Sequence, residues 1–226
     1  MDKNKFNYLN TCWSIGYFNG QIFSAYLLHL LPPRLVLGSL MILWGGLTLG
    51  MVYSTNLESV YVLRFLIGLA ESAFFPSMEY LLGSWYNSDE ITKRSTLFAL
   101  SSSLSRIITG PIQNLILAWF DETSRFKPFQ YLFLFDVMIS IPVGILTIFF
   151  NPDTPKTTRN WYWNDNDRLV ALERVRRTGA LDQTNETTSI NFDRIKSFFK
   201  SKVTYLFPIL FICYNNSGLY SIALTT

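Results

Sequence analysis

The chain is 226 residues long and only 15% of them are charged, against about 25% in an ordinary soluble protein. Hydrophobic residues make up 49% and aromatic residues 16%, and the net charge of +3 is too small to imply nucleic acid as a partner. The cysteines, Cys12 and Cys213, each sit in an apolar run, and the single histidine is His29, which leaves no disulfide framework and no His/Cys zinc site. No phosphate loop, nucleophile elbow or zinc-protease motif is present, so the chain reads as a non-enzyme without a cofactor or metal.

The spacing of the charges carries more than their number. Phe6 to Pro33, Leu35 to Leu57 and Val203 to Thr226 contain no Asp, Glu, Lys or Arg. A spanning helix needs roughly 20 mostly apolar residues, so three segments qualify at once. Taken in order, the first span covers about 8–31 and ends at Pro32-Pro33; Gly16 and Gly20 form a small-x-x-x-small pattern suited to close helix packing in lipid. The second covers 35–55. The third covers 59–83 and carries Arg64, Glu71 and Glu79. The fourth covers 95–120 and carries Arg106 and the pair Gly110-Pro111, where a break or bending point is expected. The fifth covers 129–150 and carries Asp136 and Pro142. From Pro152 to Lys202 the chain is polar, with a hint of a short amphipathic helix at Leu169, Leu172, Val175 and Arg176, and a last span begins at Val203. The expected fold is an all-α integral membrane protein. Its segments are a helical part over 1–151, a cytosolic loop over 152–202 and one further helix over 203–226.

Orientation follows from the basic residues. With the N-terminus outside, the cytosolic loops hold Arg34, Lys93, Arg94 and ten Lys or Arg of the long loop, which is 13 of the 19 in the chain. Lys3, Lys5, Arg125 and Lys127 lie outside. The expectation is a multi-pass protein of the plasma membrane or endoplasmic reticulum, with the lipid bilayer as its surroundings and the long loop in the cytosol.

Charges inside spans are the candidate functional residues. One at mid-bilayer costs roughly 2.5–3.5 kcal/mol on insertion scales. Arg64 and Glu71 are seven apart on one helix and project from one face, with Gly68 between them leaving room for a neighbour. Arg64 either snorkels to the outer interface or pairs with Glu71. Glu71 is too deep to snorkel and faces a polar cavity or an arginine. Arg106 is at comparable depth, so an Arg106–Glu71 pair is the alternative. Asp136 is either interfacial or functional.

The run Arg64-Phe65-Leu66-Ile67-Gly68-Leu69-Ala70-Glu71-Ser72-Ala73-Phe74-Phe75-Pro76, followed by Ser84-Trp85-Tyr86, resembles the fourth transmembrane helix of the fungal allantoate permease branch of the major facilitator superfamily, the anion:cation symporters. Tyr8-Leu9-Asn10 through Gly20-Gln21-Ile22 is similar to that family's second helix, Trp44-Gly45 to its third, and Phe135-Asp136 with Ile141-Pro142 to its sixth. Pro152, Asp153, Pro155 and Arg159 resemble the start of its central cytosolic loop. Lys196-Ser197-Phe198-Phe199 and Tyr214-Asn215-Asn216 resemble the approach to its seventh helix and that helix itself. Ser77 stands where the family tends to have glycine, and Arg106 and Glu79 are atypical of it.

The resemblance implies a transporter by descent, built for proton-coupled uptake of a small organic anion such as a vitamin or allantoate-like carboxylate. Arg64 would then bind the anion or balance Glu71, Glu71 would carry the proton, and Gly110-Pro111 would flex. Because the match begins at the family's second helix and ends in its seventh, the expectation is a truncated or degenerate copy inactive alone. The alternative is a non-transporting membrane protein that associates with a full-length relative and regulates it.

Overall fold

A computed structural model describes residues 3–119, 127–155, 158, 166, 169–173, 196, 200–202, 204–206, 208–210 and 213. It divides into two compact units, residues 1–185 and 186–226. Among its described residues the first holds the helices α1 (Lys3–Leu30), α2 (Pro33–Tyr53), α3 (Leu57–Glu71), α4 (Phe74–Trp85), α5 (Ser88–Trp119) and α6 (Pro128–Phe150). Described residues of the second, such as 204–206 and 208–210, are helical. No strand occurs among the described residues, and the protein is all-α.

Among the described residues, three segments are long and apolar enough to cross a membrane: α2, the continuous stretch Leu57–Trp85 that joins α3 to α4, and α6. They coincide with the spans expected over 35–55, 59–83 and 129–150; α1 falls short because it carries Asn, Gln and Ser in place of charges, and α5 because it is diluted by a run of Ser, Thr, Gln and Asn. Most of the run from Val203 lies outside the described residues, as do Val175, Arg176 and Arg159.

Helix ends follow local chemistry. Pro33 opens α2 and Pro128 opens α6, each at a position whose N–H would have had no helical partner. The Gln130 side chain accepts from Lys127 N at 2.8 Å, satisfying one of the orphan donors at the start of α6. The span read as one helix over 59–83 lies within one membrane-length stretch, Leu57–Trp85, whose hydrogen-bond ladder lapses briefly after Glu71. Pro76 has no N–H to bond the Ser72 carbonyl four residues back, and its ring crowds that carbonyl. The ladder lapses at Ser72 and Ala73, directly after Glu71, while both residues keep right-handed helical backbone angles. The break expected at Gly110-Pro111 does not occur: α5 runs through Pro111, and a side chain added at Gly110 would meet open space.

Two glycine seams hold the bundle. A Cβ at Gly68 would strike the Trp13 carbonyl and lie 3.0 Å from Tyr17 N; one at Gly16 would strike the Phe65 carbonyl, and one at Gly20 would sit 2.6 Å from the Leu69 carbonyl. Helices α1 and α3 therefore approach backbone to backbone, which only small residues allow. The second seam joins α2 to α6, where a Cβ at Gly38 would lie 2.8 Å from the Gly144 carbonyl and one at Gly144 would lie 3.2 Å from the Gly38 carbonyl. Val36, Leu37, Val52, Ile67, Ala70 and Ala73 form the buried core beside these seams. The opposite faces carry exposed Phe18, Ile22, Met138 and Phe149, the surface a helix bundle shows to lipid.

Candidate functional site

The seams aim four helices at one polar cavity. It has a volume of about 230 Å³ and is lined by Trp13, Trp44, Thr48, Met51, Arg64, Ile67, Glu71, Phe133, Asp136 and Ser140. These residues come from α1, α2, α3 and α6, and three of them bear formal charge. Glu71 accepts a hydrogen bond at 2.9 Å from Trp13 Nε1, an indole brought across from α1 by the Gly16–Gly68 approach. Asp136 accepts from Ser140 Oγ at 3.5 Å, one turn further along the same helix.

Arg64 is half-buried. Its guanidinium carbon stands 5.7 Å from the centroid of the Phe133 ring, a cation–π distance. Its Nε is buried without a hydrogen-bond partner. Glu71 and Asp136 both pull on it electrostatically, yet neither is joined to it by an ion pair among the described residues. The cavity thus holds two carboxylates and one cation, close enough to feel one another and not closed into a bridge. A single proton is enough to change which of them is balanced.

Arg106 takes no part in this cavity. Its side chain is exposed on α5, and no Arg106–Glu71 pair forms. Gly68 lies on the seam that seats Trp13. The loop residues make a separate cluster at one end of the bundle. Asp153 is buried; its Oδ2 is 2.8 Å from Arg34 Nε and its Oδ1 accepts from Arg34 N at 3.2 Å. It thereby caps the start of α2 with a carboxylate, where the helix dipole favours one. The Asp153 carbonyl accepts from Trp85 Nε1 at 2.8 Å and from Thr158 Oγ1 at 2.8 Å, and Pro155 is buried beside it. The start of α2 and the ends of α4 and α6 are tied together here, and Arg94 stacks on Tyr86 at 4.0 Å at the end of α4. Burial pushes the Asp153 carboxyl above the usual carboxylate range, and Arg34 pulls it part of the way back.

Reading charges alone found Arg64, Glu71 and Asp136 and missed Trp13, Trp44, Thr48, Phe133 and Ser140. Trp13 was within reach. It lies on the same α1 stripe as Gly16 and Gly20, three and seven residues earlier, so the face that packs against α3 carries an indole donor one turn away. Trp44 and Thr48 likewise share one stripe of α2.

The family model described as Major Facilitator Superfamily matches residues 1–226. The chain is similar to MFS transporter PfmaC of Pestalotiopsis fici, with 32% identity over 206 residues covering 91% of the chain and 38% of that protein. Pantothenate transporter FEN2 of Saccharomyces cerevisiae is 28% identical over 211 residues, 90% of the chain and 40% of that protein. Vitamin H transporter of the same yeast is 25% identical over 226 residues, 98% of the chain and 38% of that protein. The chain therefore spans about two-fifths of the length of these relatives.

Proposed function

The chain belongs to the Major Facilitator Superfamily, and from that premise we propose that it serves proton-coupled uptake of a small organic anion, with Glu71 as the group that takes up and releases the proton. Its multi-pass membrane character follows from the family and from its apolar helices. The pantothenate and vitamin H carriers among its relatives favour a vitamin-like carboxylate, and the motif from Arg64 to Pro76 favours the allantoate permease branch. The observation that carries the reading is the polar cavity enclosed by apolar helices. Glu71 stands there, held by Trp13 and within the field of Arg64. An ionisable group at membrane depth is costly unless it is used.

The cavity suits a proton better than the anion itself. Its ~230 Å³ is below the range of about 300–1,000 Å³ in which organic ligands are held, and its two carboxylates outnumber its one cation. Arg64 is accordingly the balancing charge for Glu71 and Asp136. The proposed orientation has the N-terminus outside and the end bearing Arg34, Lys93, Arg94 and Asp153 in the cytosol. The partners are the bilayer, the anion and the proton.

The test places residues 1–226 in the matching position of the Saccharomyces cerevisiae pantothenate transporter and measures pantothenate uptake against external pH, normalised to surface protein. Glu71→Gln keeps size and hydrogen bonding and removes the proton; it should abolish pH-driven accumulation and leave exchange partly intact. An unchanged pH profile in Glu71→Gln removes Glu71 from the coupling.

A further inference from the structure

Arg64 stands between two carboxylates on two different helices and is bonded to neither among the described residues. Helices α3 and α6 begin at the same end of the bundle, because Gln130 Nε2 donates to the Val52 carbonyl and ties the start of α6 to the end of α2, just before α3. Counted from those starts, Arg64 is seven residues into α3 and Asp136 eight residues into α6, so the two lie at one level. Glu71 is seven residues further along α3 than Arg64, about 10 Å deeper at 1.5 Å per residue. The guanidinium leans on Phe133, one turn before Asp136, and both carboxylates attract it. Each carboxylate has a neutral partner of its own, the Trp13 indole for Glu71 and the Ser140 hydroxyl for Asp136. Neither partner replaces a cation.

The Arg64 Nε is buried and unpartnered. Described residues already enclose it, so the unmet donor does not depend on any further helix. A buried N–H without an acceptor is costly, and the long stem of arginine lets the guanidinium reach Asp136 at its own level or turn toward Glu71. The other groups that face the two carboxylates are uncharged at neutral pH: Trp13 and Tyr17 of α1, and Trp44 and Thr48 of α2. Among the described residues no charged side chain of α4 or α5 lines the cavity. We propose that Arg64 is an exchangeable counter-ion, paired with Asp136 while Glu71 holds its proton and drawn to Glu71 once that proton leaves, and that Asp136 is the positioning residue that makes the exchange possible. The proton passes between the Glu71 carboxyl and water, and Arg64 stays protonated throughout. Two carboxylates thus share one cation, and each can hold it alone. A proton gained or lost on α3 thereby changes how α3 is attached to α6. Use of the exchange in coupling rests on the proton reading of Glu71 given above; the exchange itself does not.

The test is reversible unfolding of the full chain in mixed micelles near neutral pH. It compares Glu71→Gln, Asp136→Asn, the double variant, and the double variant with Arg64→Gln added. Glutamine at position 71 stands in for the protonated carboxyl and keeps an acceptor for Trp13. Either single change leaves Arg64 one carboxylate, so each should lower the folding constant by about tenfold or less. The double change leaves the cation with none, so its loss should exceed the product of the two single losses by at least about tenfold. Arg64→Gln should recover most of that excess, and Asp136→Glu in place of Asp136→Asn should abolish it. A double variant too unstable to fold, beside a triple variant that folds, is the same result in its strongest form. Single losses that simply multiply would overturn the proposal, and so would a double variant that Arg64→Gln does not rescue. Uptake is not measured, so the two readings fail separately. Losses that multiply leave Glu71 as the proton group, whereas an unchanged pH profile of uptake in Glu71→Gln removes the coupling reading and leaves the exchange standing.

Discussion

Substituting Gly68 by alanine tests the seam on which the cavity depends. The added methyl would be driven into the Trp13 backbone carbonyl and held 3.0 Å from Tyr17 N. Both obstacles are backbone, so no rotamer change relieves them. A carbon and a carbonyl oxygen rest about 3.3–3.6 Å apart, so α1 and α3 must separate by about an ångström. A gap of 0.5–1 Å forfeits a quarter to a half of each contact's attraction, and overpacking of this kind costs about 1–3 kcal/mol. With backbone against backbone the upper end applies, offset by about 1 kcal/mol of helix propensity gained on leaving glycine. The net expectation is a loss of about 2 kcal/mol. Gly46 is the internal control: a Cβ there meets nothing within 4 Å, so Gly46→Ala retains only the gain, about 1 kcal/mol. The assay is reversible unfolding in mixed micelles, followed by tryptophan fluorescence. The same separation draws Trp13 away from Glu71, so the Trp13 contribution should shift along with the stability. Gly68→Ala and Gly46→Ala falling within about 0.5 kcal/mol of each other would refute the reasoning, because it would mean α1 and α3 do not touch through their backbones.

Trp13→Phe keeps the ring in the seam and removes the indole donor to Glu71; it should cost about 1–3 kcal/mol of stability in the same unfolding assay, and Glu71→Gln added on top should cost less than it does alone. For Asp153, burial raises the folded pKa above the ordinary 3.8. Its contribution is therefore full below that value and is lost as pH rises through the folded pKa, so the unfolding midpoint should fall across that interval, and Asp153→Asn should flatten that part of a profile taken from about pH 3 to pH 7. Arg34→Gln removes the cation that pulls the other way and should move the same transition to higher pH. Asn185-Glu186-Thr187 is a glycosylation acceptor sequence outside the described residues; with the long loop in the cytosol it should carry no glycan, and an endoglycosidase-sensitive mass lost in Asn185→Gln would invert the orientation.

Local periodicity and charge spacing determined a good deal without a structure. That the protein is all-α and sits in a membrane follows from runs of apolar residues with too few charges for water. That Arg64, Glu71 and Asp136 are worth attention follows from the cost of charge in hydrocarbon; both arguments need only a residue and its near neighbours. Pairing does not. Glu71 is partnered by an indole 58 residues away, and Asp153 caps a helix 119 residues away. Both depend on how each helix is rotated about its axis, which Gly16, Gly68, Gly38 and Gly144 set by letting particular backbones touch. Tertiary structure likewise left Arg106 on an open face of α5 instead of beside Glu71. It loosened the hydrogen-bond ladder of the third span at Ser72 and Ala73, where Pro76 withholds a donor, while α5 stayed whole through Pro111. A proline's effect on a helix is decided by whether neighbouring groups re-satisfy the freed carbonyl, and that is information one strand of sequence does not carry.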